Sequence, residues 1–197
     1  KAANQRTLLR RNGPSGLHRE LDEMARLLER VDAVEAVEGL LGMEGSLAAV
    51  YFRNFGSMLH PKDAGEAEGE LPFAFESRNR RPPRDPVNAM LSFGYAMLAK
   101  ECTVALLAAG LDPYWGFYHQ PRHGRPALAL DLMEEFRPLV VDSALLTAVN
   151  TGMVRPRDFV TTAAGCTLKP EGRKSFIRAY EARLDQLATH PRFDYRC

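Results

Sequence analysis

Asp131, Glu134 and Glu135 crowd one short stretch of this chain. Asp131 and Glu134 are three apart, so on a helix they project from one face. Leu130 shares that face and sets the carboxylates at the border of a core rather than in open water. Like charges so close repel unless a cation sits between them. His119 lies upstream in Tyr118-His119-Gln120, where a bend can swing it against the same face. Oxygen ligands with one imidazole suit Mn²⁺ or Mg²⁺ better than a thiol-loving metal. Spacing alone favours a second reading: a solvated acidic face beside a hydrogen-bonded loop histidine. Glu44, placed in the first turn of its helix, by itself serves the helix dipole.

Arg78, Arg80, Arg81 and Arg84, with Arg122 and Arg125 flanking His123, form a second constellation. Arginine's planar fork matches phosphate oxygens, and such contacts position a backbone without reading its sequence. The alternative is a solubilising loop surface. Tyr95 reads as a core aromatic with its hydroxyl satisfied. Lys169, Arg173 and Lys174 read as helix-surface charges, and His60, His123 and His190 as surface residues. No Walker-type phosphate loop, Gly-x-Gly-x-x-Gly, Gly-x-Ser-x-Gly or His-Glu-x-x-His pattern occurs. Among common chemistries, metal-assisted phosphoryl transfer is the one whose parts are present.

The elements that must position these groups are helical. Gln5 to Arg11 continues an element already under way, and Asn12 to Gly16 is a turn cluster. Leu17, Leu21, Met24, Leu28 and Val31 recur at helical spacing. Asp32 is placed to cap the next helix, with Glu35 in capping-box position and Gly42 as an interruption. Leu47, Val50, Tyr51, Phe55 and Met58 form an apolar stripe on the helix that carries Glu44. Residues 60–86, rich in proline and arginine, predict a long surface loop. Val87 to Ala109 is apolar on nearly all faces and predicts a buried central helix that Gly110 stops. Leu111 to Gly124 is an aromatic-rich loop. Further helices are expected over Pro126 to Arg137, ended by Pro138, over Val140 to Asn150 and over Glu171 to Leu187. Short strand candidates lie near Leu71 to Phe75 and Asp158 to Thr162. The fold class is all-α, one domain over residues 1–197.

A chain of 197 residues, 45% hydrophobic and 26% charged, can bury a sizeable core. A net charge of +1 leaves any nucleic-acid surface to local clustering. Cys102, Cys166 and Cys197 are odd in number and far apart, which supports no zinc ribbon, iron–sulfur cluster or disulfide framework and predicts reduced thiols in a cytoplasmic protein. No apolar run near the ~18–20 residues of a membrane span is read, and no signal peptide, so no membrane is expected.

The stretch Arg84-Asp85-Pro86-Val87-Asn88 through Leu91-Ser92-Phe93-Gly94-Tyr95-Ala96 comes first in a series of blocks. Ala109-Gly110-Leu111-Asp112-Pro113, Gly116-Phe117-Tyr118-His119, Gly124-Arg125-Pro126 and Leu130-Asp131-Leu132-Met133-Glu134-Glu135-Phe136-Arg137-Pro138 follow. Together they resemble the CRISPR-associated endonuclease and integrase, the catalytic subunit of the spacer-acquisition complex. Gly42-Met43-Glu44-Gly45, continuing to Ala48 and Tyr51-Phe52, resembles that family's first metal-ligand helix. The blocks keep the family's order over nearly the whole chain.

The resemblance implies an Mn²⁺ or Mg²⁺ site made by Glu44, His119 and Glu134, with Asp131 as accessory acid and Tyr95 nearby. It implies that a 3′ hydroxyl of new spacer DNA attacks the repeat of a CRISPR array. Double-stranded DNA, a second copy of the chain and a smaller non-catalytic adaptation protein are the partners it implies. Members carry a β-rich dimerisation domain before the helical one, which this chain is expected to lack. Some members are fused to an iron–sulfur nuclease, and a chain beginning with Lys1 suits a longer parent. Ala127 stands where serine is common. A transposon-borne integrase of the same superfamily and a non-catalytic helical DNA scaffold are the rival readings.

Overall fold

The computed structural model describes residues 1–62 and 73–186. Seven α-helices dominate these residues: α1 (Ala2–Asn12), α2 (His18–Glu29), α3 (Val37–Phe55), α4 (Pro86–Ala108), α5 (Ala127–Phe136), α6 (Ser143–Asn150) and α7 (Pro170–Leu184). One antiparallel hairpin, β1 (Phe159–Thr162) with β2 (Gly165–Leu168), interrupts them, paired Phe159 to Leu168 through Thr162 to Gly165. The chain is therefore mostly helical, as its periodicity predicts.

α4 organises the core. Asp85 caps it, accepting the Asn88 backbone N–H at 2.8 Å, and Pro86 occupies the first helical position, where a missing N–H costs nothing. Val87, Met90 and Leu91 are fully buried, and Gly94 lies so close to Val141 that a Cβ would come within 2.5 Å of its methyl. The second half differs from the expected all-round burial. Val104 and Leu107 are 54% and 60% exposed, because among the described residues no element covers that end. Contrary to the reading of no membrane-length run, α4 at 23 residues is long and apolar enough to span a bilayer by composition. Its buried first half instead packs among α5, β2 and the segment after α5. The loop beyond Gly110 leaves Trp115 and Phe117 exposed.

Three local expectations are corrected. α3 runs unbroken through Gly42 and Gly45, where an added side chain would meet open space; helices tolerate such glycines at about 1 kcal/mol each. Glu44 accordingly stands in the helix body and not its first turn. Asp32 lies in a short 3₁₀ turn, Val31–Ala33, and α3 starts from Ala36 with no side-chain cap. Pro138 does not stop the chain either. Arg137–Asp142 forms a π-helical turn joining α5 directly to α6, and its wider ring accommodates a residue with no N–H to donate. That turn drives Asp142 inward, where it is completely buried.

The strand expected at Asp158 to Thr162 forms, with a partner the sequence does not announce. Phe73 to Phe75 is irregular, while Leu71 and Pro72 lie outside the described residues, as do Leu187, His190 and Cys197. Cys102 and Cys166 are free thiols, both buried.

Candidate active site

The arginine-rich loop is pinned before it reaches any ligand. Asn88, wholly buried in the first turn of α4, accepts from the Asn79 backbone N–H at 3.0 Å and donates to the Ser77 carbonyl at 2.9 Å. Arg78 Nη1 donates to the same carboxamide oxygen at 2.7 Å. From the other side, the Cys166 N–H of β2 donates to the Pro83 carbonyl at 2.8 Å. Gly165, at φ +111, presses against Pro82 and Pro83 where a Cβ would collide.

This loop forms one wall of a cleft of about 830 Å³. Glu44 from α3, His119 from the loop before α5 and Glu134 from α5 all line it, as do Arg78, Arg80, Arg81, Arg122, Arg125 and Tyr95. The acid–imidazole trio and five of the six candidate arginines thus face one space. Arg84 is not part of the lining; its backbone N–H donates to the Asn79 carboxamide at 2.8 Å.

At the floor, the Lys1 ammonium bridges the two acids, bonded to Glu44 and 2.7 Å from Glu134 Oε2. Tyr118 donates its hydroxyl to the other Glu44 oxygen, and its ring meets His119 edge-on with centroids 5.4 Å apart. Burial alone would push the Glu44 carboxyl up, but the bonds from Lys1 and Tyr118 outweigh it and hold the group below the usual range. Arg137 pairs with Glu134 at 3.2 Å.

Asp131 does different work from its neighbour one turn on. Its carboxylate accepts the backbone N–H groups of Phe117 (2.7 Å), Tyr118 (3.0 Å) and His119 (2.8 Å), and meets His119 Nδ1 at 2.7 Å. Burial works against ionisation here, yet these bonds together keep the carboxyl below its ordinary range. Asp131 therefore folds the loop and fixes the imidazole, the arrangement by which carboxylates orient metal-ligating histidines through the ring nitrogen away from the ion.

Tyr95 is more than a satisfied core aromatic. The Arg137 guanidinium lies 4.7 Å from its ring centroid and that of Arg78 5.6 Å, so the ring carries both cations into the cleft. Its hydroxyl donates to the buried Asp142 at 2.6 Å, and Tyr51 donates to the other oxygen of Asp142 at 2.8 Å. Burial pushes the Asp142 carboxyl up to about 6 despite these two bonds.

Among the described residues, no three acidic, imidazole or thiol groups stand close enough together to chelate an ion as they are. The groups nevertheless fit a divalent cation. Glu134 Oε2 and Gln5 Oε1 are buried without a hydrogen-bond partner, the Lys1 contact being too oblique to count as one. Both residues line the cleft. The two carboxylates already hold a cation, the ammonium, between them, and the bond to Asp131 leaves His119 Nε2 free of that contact. Hard oxygens with one imidazole are the donors that Mn²⁺ and Mg²⁺ accept. Lys1, Gln5, Tyr118, Arg137 and Asp142 escaped the sequence reading, since no spacing rule links α1 or residue 142 to this floor.

Comparison with known proteins gives the family of the chain. A CRISPR-associated exonuclease Cas4/endonuclease Cas1 fusion from Geobacter sulfurreducens is 53% identical over 204 residues, covering 99% of this chain and 35% of the relative. Among solved structures, a casposase bound to integration product superposes with a TM-score of 0.79 at 26% identity, over 99% of this chain and 52% of that one. A partial Cas6-RT-Cas1–Cas2 complex gives a TM-score of 0.79 at 30% identity, over 92% of this chain and 53% of the other. The chain thus spans between 35% and 53% of these three proteins. The family model for CRISPR associated protein Cas1 matches residues 1–182, and the chain belongs to that family.

Proposed function

We propose that the cleft is a DNA strand-joining site, in which the 3′ hydroxyl of new spacer DNA attacks a phosphodiester in the repeat of a CRISPR array. One observation carries this reading: two acids and an imidazole form the floor of a cleft whose walls are arginines. Glu44, His119 and Glu134 would hold Mn²⁺ or Mg²⁺, which when bound lowers the pKa of an attacking hydroxyl and offsets charge on phosphate oxygens. Asp131 keeps His119 in its tautomer and orientation. Arg78 and Arg137, braced on Tyr95, and Arg80, Arg81, Arg122 and Arg125 bind the backbone phosphates. One P–O bond forms as another breaks and the leaving 3′ oxygen takes up a proton, so the reaction needs no nucleotide cofactor.

We further propose, from the family resemblance, a cytoplasmic homodimer; relatives named as a Cas4/Cas1 fusion and a Cas1–Cas2 complex support its association with other proteins. Its companions would be a smaller non-catalytic adaptation protein and an iron–sulfur nuclease. The casposase likeness supports a second substrate, transposon ends, for the same chemistry.

Strand joining is tested with a labelled oligonucleotide bearing a 3′ hydroxyl and a repeat duplex. A longer product is expected with Mn²⁺ and none with EDTA; equal product in EDTA overturns the metal dependence. The walls make a separate prediction. Neutralising Arg80, Arg81 and Arg122 together flattens the slope of log K for duplex binding against log salt by about 2–3. Arg84→Gln, outside the lining, leaves that slope nearly unchanged. A triple variant with the wild-type slope removes these arginines from the interface.

A further inference from the structure

We propose that Lys1 is the resident counter-cation of the unloaded site, holding the place of the divalent ion between Glu44 and Glu134 and leaving it when the ion enters. This rests on the reading of those carboxylates as metal ligands, and extends it to how the site is loaded. The ε-ammonium contacts one oxygen of each acid, and the Lys1 and Glu134 side chains are each only 12% exposed. Without a cation, two carboxylates this near would repel, and each would turn away from the other. Lys1 and Arg137 together balance the two negative charges of Glu44 and Glu134.

Mg²⁺ bonds its oxygen ligands at about 2.0–2.1 Å. An ammonium already 2.7 Å from Glu134 Oε2 and bonded to Glu44 Oε1 occupies that position. The two cations exclude each other by size and by charge. Lysine suits the exchange, because its charge rides on a flexible four-carbon stem rather than a fixed fork. The ammonium-filled arrangement is also incompletely satisfied. Gln5, one turn along α1, keeps a buried oxygen with no partner beside the cleft, and Glu134 Oε2 has no well-angled donor. Waters on a hydrated ion supply donors that the ammonium does not. Lys1 therefore weakens metal affinity while stabilising the metal-free fold, two effects of opposite sign from one side chain.

Mn²⁺ titration by calorimetry, paired with thermal unfolding in EDTA, tests this on the whole chain as wild type, Lys1→Met and Lys1→Arg. Lys1→Met keeps the length and flexibility of the side chain and removes its charge. It is expected to bind Mn²⁺ roughly tenfold more tightly, as loss of one partly buried competing pair implies. Its metal-free Tm is expected to fall by about 2–4 °C. Lys1→Arg, which keeps a cation there, is expected to stay within about threefold of wild type in Mn²⁺ affinity. A Lys1→Met affinity that is unchanged or weaker overturns the proposal, and so does an unchanged metal-free Tm. Wild type that takes up no Mn²⁺ overturns the metal reading itself, a result distinguishable from the others.

Discussion

Alanine at Glu44 or at His119 is expected to lower the rate of strand joining by about a thousandfold or more, while duplex affinity stays within about twofold. Each change removes one donor from the floor of the cleft and leaves the arginine walls intact. Glu44→Ala also frees Lys1 and Tyr118, both bonded to that carboxylate, so its fold is checked by circular dichroism. Asp131→Asn provides a graded comparison. It spares the proposed ligands but loosens the imidazole and the loop, and a loss of about 10–100-fold is expected. Gel assays of product length, run with Mn²⁺ beside filter-binding of the same duplex, separate joining from binding. Retained joining by both alanine variants would sink the assignment.

Asp142 carries the other large effect, on stability. Asp142→Ala strands two buried tyrosine hydroxyls and opens a void, and is expected to cost about 3–5 kcal/mol of unfolding free energy. Its pH dependence is more specific. The folded carboxyl titrates at about 6, above its ordinary value of 3.8. The native state thus binds the proton more tightly than the unfolded chain does. The stability this group supplies is complete below about pH 4 and is lost as pH rises through 6. Asp142→Asn does not titrate, so wild type should lose its advantage over that variant by on the order of 2 kcal/mol between pH 4 and pH 8. Urea unfolding at both ends of that window measures it; a difference independent of pH would show that the carboxyl does not titrate in this range.

Periodic apolar residues made the helices legible. The stripe from Leu17 to Val31 and the run from Val87 predict α2 and α4 to within a few residues. Single-residue rules failed where tertiary packing decides. Asp32 has the chemistry of a cap but sits in a 3₁₀ turn, and Pro138 has the chemistry of a stop but lies inside a π-turn. For the site, spacing alone favoured a surface role for Glu134 and His119 over a ligand role. The ordered blocks of family resemblance singled them out, and the fold lays them along one cleft with Glu44. Tyr51 and Asp142 are 91 residues apart, and Tyr118 and Glu44 are 74 apart, so no local pattern could pair them. Asn88 falls in a run legible only as apolar on nearly all faces. It is the clamp on Ser77, Arg78 and Asn79, a role that emerges only once the loop folds back over the helix start.

The small hairpin has a bearing on the proposed DNA binding although it is not part of the cleft lining. By gripping Pro82 and Pro83 it turns a stretch of irregular backbone into a rigid mount for the guanidinium groups on either side. Backbone freedom there is surrendered during folding, before a duplex arrives, so docking need not freeze that main chain again. If the cleft takes a duplex as proposed, the protein would dictate the spacing between the phosphates it holds, and a helix with a different rise would meet the wall out of step.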